Sequence, residues 1–195
     1  MKYLLLLYLL LIVGLTFVLP SYRIYRKTGI NPLTFGNTDS AHDFIGRLFK
    51  GIFATLILSG AIQVLGTDTA RNWLFPLPLP DGLTMAGVVT LFVALIWISI
   101  AQVQMADSWR IGIDEKNDTE LVTKGLFGVS RNPIFLGMQA TLVGLFLVMP
   151  NLVTLVALAL GLVVVQIQVR LEEAFLQGKH GISYAEYCKK VRRWL

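Results

Sequence analysis

Five runs of this chain, residues 3–19, 48–65, 83–105, 134–149 and 152–165, are almost free of polar groups, and that pattern leaves few folds open. The apolar residues are bunched rather than spread periodically, 55% of the chain being hydrophobic and 15% charged, which marks a protein whose solvent is lipid. A helical crossing takes about 20 residues, so residues 83–105 span with ease and the last two runs are short. Only Pro150 and Asn151 separate those two, the spacing of a tight helical hairpin with its tip below the far surface. Lys2 ahead of an apolar run suggests a signal peptide, but the run is too long and no small-x-small cleavage site follows before Arg23. A retained first helix is therefore expected. The segment LFPLPLPDG, residues 74–82, carries three prolines that suit an extended outer loop. The expected fold is all-α: an integral membrane bundle of five transmembrane helices in a single domain over residues 1–195. Residues 1–105 form a three-helix scaffold in it and 106–195 the half that carries the site.

Charge placement orients the bundle. Arg23, Arg26, Lys27, Arg47 and Lys50 flank the first loop; Arg110, Lys116, Lys124 and Arg131 follow the third helix; Arg170, Lys179, Lys189, Lys190, Arg192 and Arg193 gather towards the C-terminus. Between helices two and three there is only Arg71. By the positive-inside rule the N-terminus is outside and the C-terminus cytoplasmic, and a chain of this size fits a bacterial inner membrane. The net charge of +5 follows from topology and contact with anionic membrane lipids, and does not call for nucleic acid. Cys188 is alone, and His42 and His180 cannot build a usual zinc site, so neither a disulfide framework nor a metal is expected. No glycine-rich dinucleotide or phosphate-loop motif occurs.

Polar residues concentrate in the C-terminal half, in DSWRIGID (107–114), TELVTKGLF (119–127), SRNPIF (130–135) and QIQVRLEEAFL (166–176). In SRNPIF, Asn132 suits an N-cap and Pro133 the first helical position, while Arg131 can reach lipid phosphates. The same geometry, a helix N-terminus with a guanidinium beside it, also binds a carboxylate or phosphate. Along the last helix Gln166, Arg170, Glu173 and Gln177 share one face, with Gln168 and Glu172 as a second pair beside it. Two adjacent glutamates where a span leaves the bilayer are costly unless paired or wet, which makes them functional candidates; a solvated helix extension is the plain alternative. The tail GISYAEYCKKVRRWL reads as an amphipathic interfacial helix, with Ser183 and Glu186 as its capping box. Tyr184, Tyr187, Cys188, Val191 and Leu195 lie along one side of it and basic residues around the other. It serves as a membrane-surface anchor or as a lid.

The order LVTKGLF, SRNPIFLG, a short hairpin, RLEEAFL and GISYAEYCKKV resembles the isoprenylcysteine carboxyl methyltransferase family, which is similar in turn to membrane phospholipid methyltransferases. The likeness covers residues 109–193. It implies an integral membrane helical bundle that holds S-adenosyl-L-methionine in a cytoplasm-facing pocket entered by the substrate from the bilayer. Carried over by motif, the cofactor meets Glu120, Leu121 and Val122, Phe127, then Asn132, Pro133, Ile134 and Phe135, and finally Glu172. The family's usual Arg-His-Pro-x-Tyr stands here as Arg131, Asn132, Pro133, Ile134 and Phe135, so an imidazole and a phenol are replaced. The arginine that eukaryotic members place four residues before the glutamate pair is Gln168 here, with Arg170 two residues along.

Methyl transfer from a sulfonium is an in-line displacement, and the residue types suit it. Phe127, Phe135 and Trp109 can face the cation, Arg131 or the helix N-terminus can meet the cofactor carboxylate, and Glu172 can hold its ammonium. For an amine or thiol nucleophile Glu173 is the expected base, with Arg170 and Arg131 completing the catalytic set; a carboxylate nucleophile needs no base, and Glu173 is then structural and paired with Arg170. The expected activity is methyl transfer to a lipid-like or prenylated acceptor at the cytoplasmic face. Prenylated cysteine, an aminophospholipid, a quinone-like lipid and a small thiol all remain open as acceptors. Two alternatives are a sterol-reductase-like NADPH enzyme, for which no dedicated basic cluster exists apart from the tail, and a non-enzymatic scaffold or small transporter, for which no inverted repeat is visible.

Overall fold

A computed structural model describes residues 2–36 and 38–195, which form helices and loops with no strand among the described residues. The N-terminal helix is one rod in three parts: α1 (Lys2–Val13), a π-helical turn (Gly14–Val18) and α2 (Leu19–Thr28). Pro20 explains the turn. It has no N–H to give the Thr16 carbonyl four residues back, and its ring crowds that carbonyl, so the helix widens and Leu19 N–H reaches back to Gly14 O. Gln102 Nε2, from a neighbouring helix, donates to Thr16 O at 2.7 Å. The rod runs beyond the apolar residues 3–19 and stops at Gly29, whose φ of 70° a glycine adopts without penalty.

Helix α3 (Ala41–Leu65) also begins ahead of its apolar run. Ser40 Oγ caps it by accepting from Asp43 N at 3.1 Å, and the Asp43 carboxylate accepts from Gly36 N and Thr38 N at 2.7 and 2.8 Å. After the short α4 (Asp68–Asn72) and the proline-rich segment, α5 (Asp81–Met105) ends at Ala106, a non-glycine residue at φ 46°. Helix α6 (Pro133–Val148) returns, and α7 (Leu152–Lys190) leaves again, capped by reciprocal bonds between Asn151 and Thr154. The 39-residue α7 continues far beyond the apolar residues 152–165 and breaks only at Gly181, φ 51°.

Both ends of the bundle are tied. At one end the α6–α7 turn meets the proline-rich loop: Leu77 N donates to Pro150 O at 2.8 Å, and Leu152 N to the carbonyls of Leu74 and Phe75 at 3.2 and 3.1 Å. At the other end Lys27 pairs with Asp107 at 2.6 Å, and Thr34 N and Ile111 O join at 3.1 Å. Between them lies a core of Leu5, Tyr8, Leu9, Ile12, Leu56, Leu91, Leu95, Ile98, Leu145, Met149 and Ala157. Helices α5 and α6 approach through small residues: a Cβ at Gly137 would collide with Ile98, and one at Gly144 would lie 2.8 Å from Leu91.

Four helices are long and apolar enough to cross a membrane: Leu7–Thr28, Ala41–Leu65, Gly82–Ser108 and Leu152–Lys190. The fifth expected crossing, α6, is apolar but has only 16 residues. The C-terminal helical turns after Gly181 fold back onto the protein, burying Tyr184 and Tyr187.

Candidate functional site

The turn that opens α6 is built by hydrogen bonds that its own letters supply. Gly125 sits at φ 65° against the Gln104 side chain, and Gln104 Oε1 accepts from Leu126 N at 2.8 Å. The chain then turns through Gly125–Gly128, and Asn132 N donates to Ser130 Oγ at 3.2 Å. Pro133 takes the first helical position, and its carbonyl accepts from Trp97 Nε1 at 2.9 Å. Asn132 occupies the N-cap position but caps nothing with its side chain. Its Nδ2 instead donates to Glu173 Oε1 at 2.9 Å and to Arg193 O at 3.3 Å. In place of the expected side-chain cap, the Asn132 amide bridges to α7, its Nδ2 donating to the buried Glu173 carboxylate in a charge-assisted bond.

Arg131 is committed in the same direction. Its Nε and Nη2 donate to Glu173 at 3.2 and 3.4 Å, and its Nη1 to the carbonyls of Cys188 and Val191 at 3.3 and 3.0 Å. Arg193 adds two more donors to Glu173 Oε2, at 3.0 and 2.7 Å. Glu173 is thus held by two guanidiniums and an amide, and its contact in turn raises the Arg193 pKa. Removing one partner from a buried pair of this kind costs about 3–5 kcal/mol. The tail is locked over the turn by Arg131 N to Arg192 O at 2.9 Å and by the Tyr187 hydroxyl to Phe127 O at 2.6 Å.

Beside this clamp lies a cavity of about 460 Å³. Glu120, Leu121, Val122, Phe127, Asn132, Pro133, Ile134, Phe135 and Glu172 all line it, as do Arg131 and Trp109. Glu173 and Arg170 do not. Arg170 is exposed and donates to Gln166 O and Oε1 at 2.7 and 2.9 Å, on the side of α7 turned away from the cavity. At 100° per residue, Gln168 and Glu172 share the row that faces inward and Arg170 the opposite one.

The remaining walls come from both halves of the chain, the expected scaffold of residues 1–105 included. Ile12, Val13, Leu56, Met138, Leu142, Leu145, Gly161 and Val165 form an apolar arm that enters the bundle. A Cβ at Gly161 would lie 2.6 Å from Leu142 Cδ1, so the glycine is what lets these helices close around that arm. Thr16 and Gln102 stand in the wall as well. The 108–122 loop is pinned in place by Ile113 N donating to His42 Nε2 at 2.9 Å and by Glu120 N donating to Ser108 Oγ at 3.1 Å. Asp114, at its centre, accepts from Arg110 Nε at 2.7 Å and from Asn117 Nδ2 at 2.9 Å. Burial pushes its pKa up, but the bonds from Arg110 and Asn117 outweigh that and hold it below the usual carboxylate range.

Three side chains in the wall carry polar atoms without a protein partner among the described residues: Glu172, which is half-buried, and the buried Gln168 and Gln102. No ion pair or side-chain hydrogen bond joins Glu172 to another described residue. Both polar atoms of Gln168 lack partners, as does Gln102 Oε1, although Gln168 is 1% exposed and Gln102 8%. An unpartnered buried amide costs about 1–3 kcal/mol, which a ligand bearing donors and acceptors would recover. Sequence reasoning missed Gln102 and Arg193. Gln102 had a signal, an amide inside an otherwise apolar span, whereas Arg193 was one of several basic residues in a tail.

A family model described as phospholipid methyltransferase matches residues 82–182, which takes in α5, the pinned loop, α6 and most of α7. No curated protein matches the chain.

Proposed function

Starting from a chain that belongs to the phospholipid methyltransferase family, a family of membrane methyltransferases, we propose that it transfers a methyl group from S-adenosyl-L-methionine to a lipid-like or prenylated acceptor at the cytoplasmic face. The observation that carries this reading is convergence: loop 108–122, the start of α6 and the Gln168–Glu172 row of α7 line one cavity that continues as an apolar arm. The residues suit the cofactor. It brings a sulfonium, an ammonium and a carboxylate, together with several polar edges, to walls that hold the Glu172 carboxylate, the unpaired amide of Gln168 and the rings of Trp109, Phe127 and Phe135.

When bound, the cofactor would supply a methyl on a sulfonium, open to in-line displacement by the acceptor heteroatom with the sulfur keeping the bonding pair. Trp109, Phe127 and Phe135 stabilise the positive charge by about 0.5–2 kcal/mol for each ring that faces it. Main-chain N–H groups at the start of α6 suit a carboxylate. Glu172, without a side-chain partner among the described residues, would counter the cofactor's charge and take the proton of a protic acceptor. Glu173 is fully engaged with Arg131, Asn132 and Arg193, and its role is to hold the 130–132 turn against α7. Arg131 supports the site through Glu173 and the tail, and Arg170 drops out of the catalytic set. The apolar arm takes the acceptor's tail while the head meets the polar half.

Taking α6 as a fifth crossing, the positive-inside rule assigns Arg23, Arg26, Lys27, Lys116 and Lys124 to the cytoplasmic side, the end that carries loop 108–122, and Arg71 to the other. Titrating the detergent-solubilised protein with S-adenosylhomocysteine tests the reading. Saturable binding that weakens about tenfold or more in Glu172→Ala supports it, and the absence of saturable binding overturns it.

A further inference from the structure

Gln102 belongs to α5, outside the four polar stretches singled out in the sequence, yet it stands in the cavity wall. Its orientation is fixed by the main chain opposite. Pro20 has no N–H for the Thr16 carbonyl, and the π-helical turn carries that carbonyl to Gln102 Nε2 at 2.7 Å. A carbonyl only accepts, so the amide must present its NH2 to Thr16, and its Oε1 is left as a lone acceptor with no protein partner. The proline, the widened turn and the amide thus form one device that holds a single hydrogen-bond acceptor in the cavity wall.

Resting on the proposed methyl transfer, we infer that Gln102 is a specificity-determining residue that reads the acceptor's head through a hydrogen bond to Oε1, selecting an N–H or O–H head over a carboxylate. The surrounding charges agree. Glu172 is an unpaired acceptor in the same cavity, and the guanidiniums of Arg131 and Arg110 are already spent on Glu173 and Asp114. Lys50 stands in the wall too, but it is exposed and suits a phosphate at the rim. A carboxylate head would set acceptor oxygens against Gln102 Oε1 and Glu172, with no free buried cation among the described lining residues to offset them. An amine or hydroxyl satisfies Oε1 directly.

The test uses the full chain in nanodiscs with three probes that share one tail: dodecylamine, dodecanol and dodecanoate. Binding is measured with and without S-adenosylhomocysteine in wild type, Gln102→Met and Pro20→Ala. The wild type should bind the amine and the alcohol about tenfold or more tighter than the carboxylate. Gln102→Met should remove most of that preference while S-adenosylhomocysteine affinity stays within about twofold. Pro20→Ala restores an N–H for Thr16, releases the amide to rotate, and should blunt the preference in the same direction. Dodecanoate binding as well as dodecanol in wild type, or an unchanged order in both variants, overturns the inference; the wild-type order requires no variant to fold. Loss of S-adenosylhomocysteine binding in wild type would instead refute the methyltransferase reading, whatever the order of the heads.

Discussion

Glu172 and Glu173 are neighbours in sequence with opposite surroundings. Glu173 accepts from Arg131, Arg193 and Asn132, whereas Glu172 faces the cavity without a partner. Their substitutions should separate stability from binding. Glu173→Gln leaves two guanidiniums facing a neutral amide and is expected to destabilise the protein by about 3 kcal/mol, read as a lower unfolding temperature in detergent. Glu172→Gln removes an uncompensated charge, so the unfolding temperature should hold or rise while S-adenosylhomocysteine affinity falls about tenfold. Asp114 gives a pH dependence. Its pKa is lowered on folding, so its contribution is fully present above the unfolded value and is lost as pH falls through the folded one. Thermal stability should therefore decline below about pH 4, and Asp114→Asn should flatten that decline. The two glutamates also mark what the letters could not reveal. Helical spacing sorted Gln168 and Glu172 into one row and Arg170 and Glu173 into another, but which row faces inward depends on how α7 is rotated against α3 and α6. That rotation is a product of packing, which no local pattern encodes.

Among the elements, the breaks carry more information than the helices. Ala106 and Gly181 adopt nearly the same backbone, φ 46° with ψ −122° and φ 51° with ψ −119°. Glycine takes that conformation freely; an L-residue with a Cβ does not. Ala106→Gly should stabilise the protein by about 1 kcal/mol, and Gly181→Ala should destabilise it by a similar amount, loosening the tail that covers the 130–132 turn. Paired thermal melts, with limited proteolysis following the tail, would show whether the two changes move in opposite directions. The apolar runs located every long helix, since burial in lipid demands continuous hydrophobicity. They underestimated the lengths of the first helix, α3 and α7, because capping by Ser40 and packing of the tail extend helices through polar sequence where no hydropathy signal exists. The π-helical turn was legible only in hindsight, from Pro20 following an unbroken apolar run.

At the scale of the whole molecule, the cavity draws on both halves of the chain, with the first helix, α3 and α5 closing the arm that α6 and α7 begin. One further consequence concerns the bilayer itself. Helix α6 has 16 residues and is about 24 Å long, short of the roughly 30 Å hydrocarbon layer. A bare helical hairpin of that height would suffer hydrophobic mismatch, thinning the surrounding leaflet or dragging Asn151 into acyl chains. The strap of prolines bonded across Pro150 and Leu152 fills the missing height with protein. Reconstituted into lipids of increasing acyl length, the native chain should keep its melting temperature nearly constant, and a version with residues 76–80 replaced by Gly-Ser should lose stability steadily as the layer thickens.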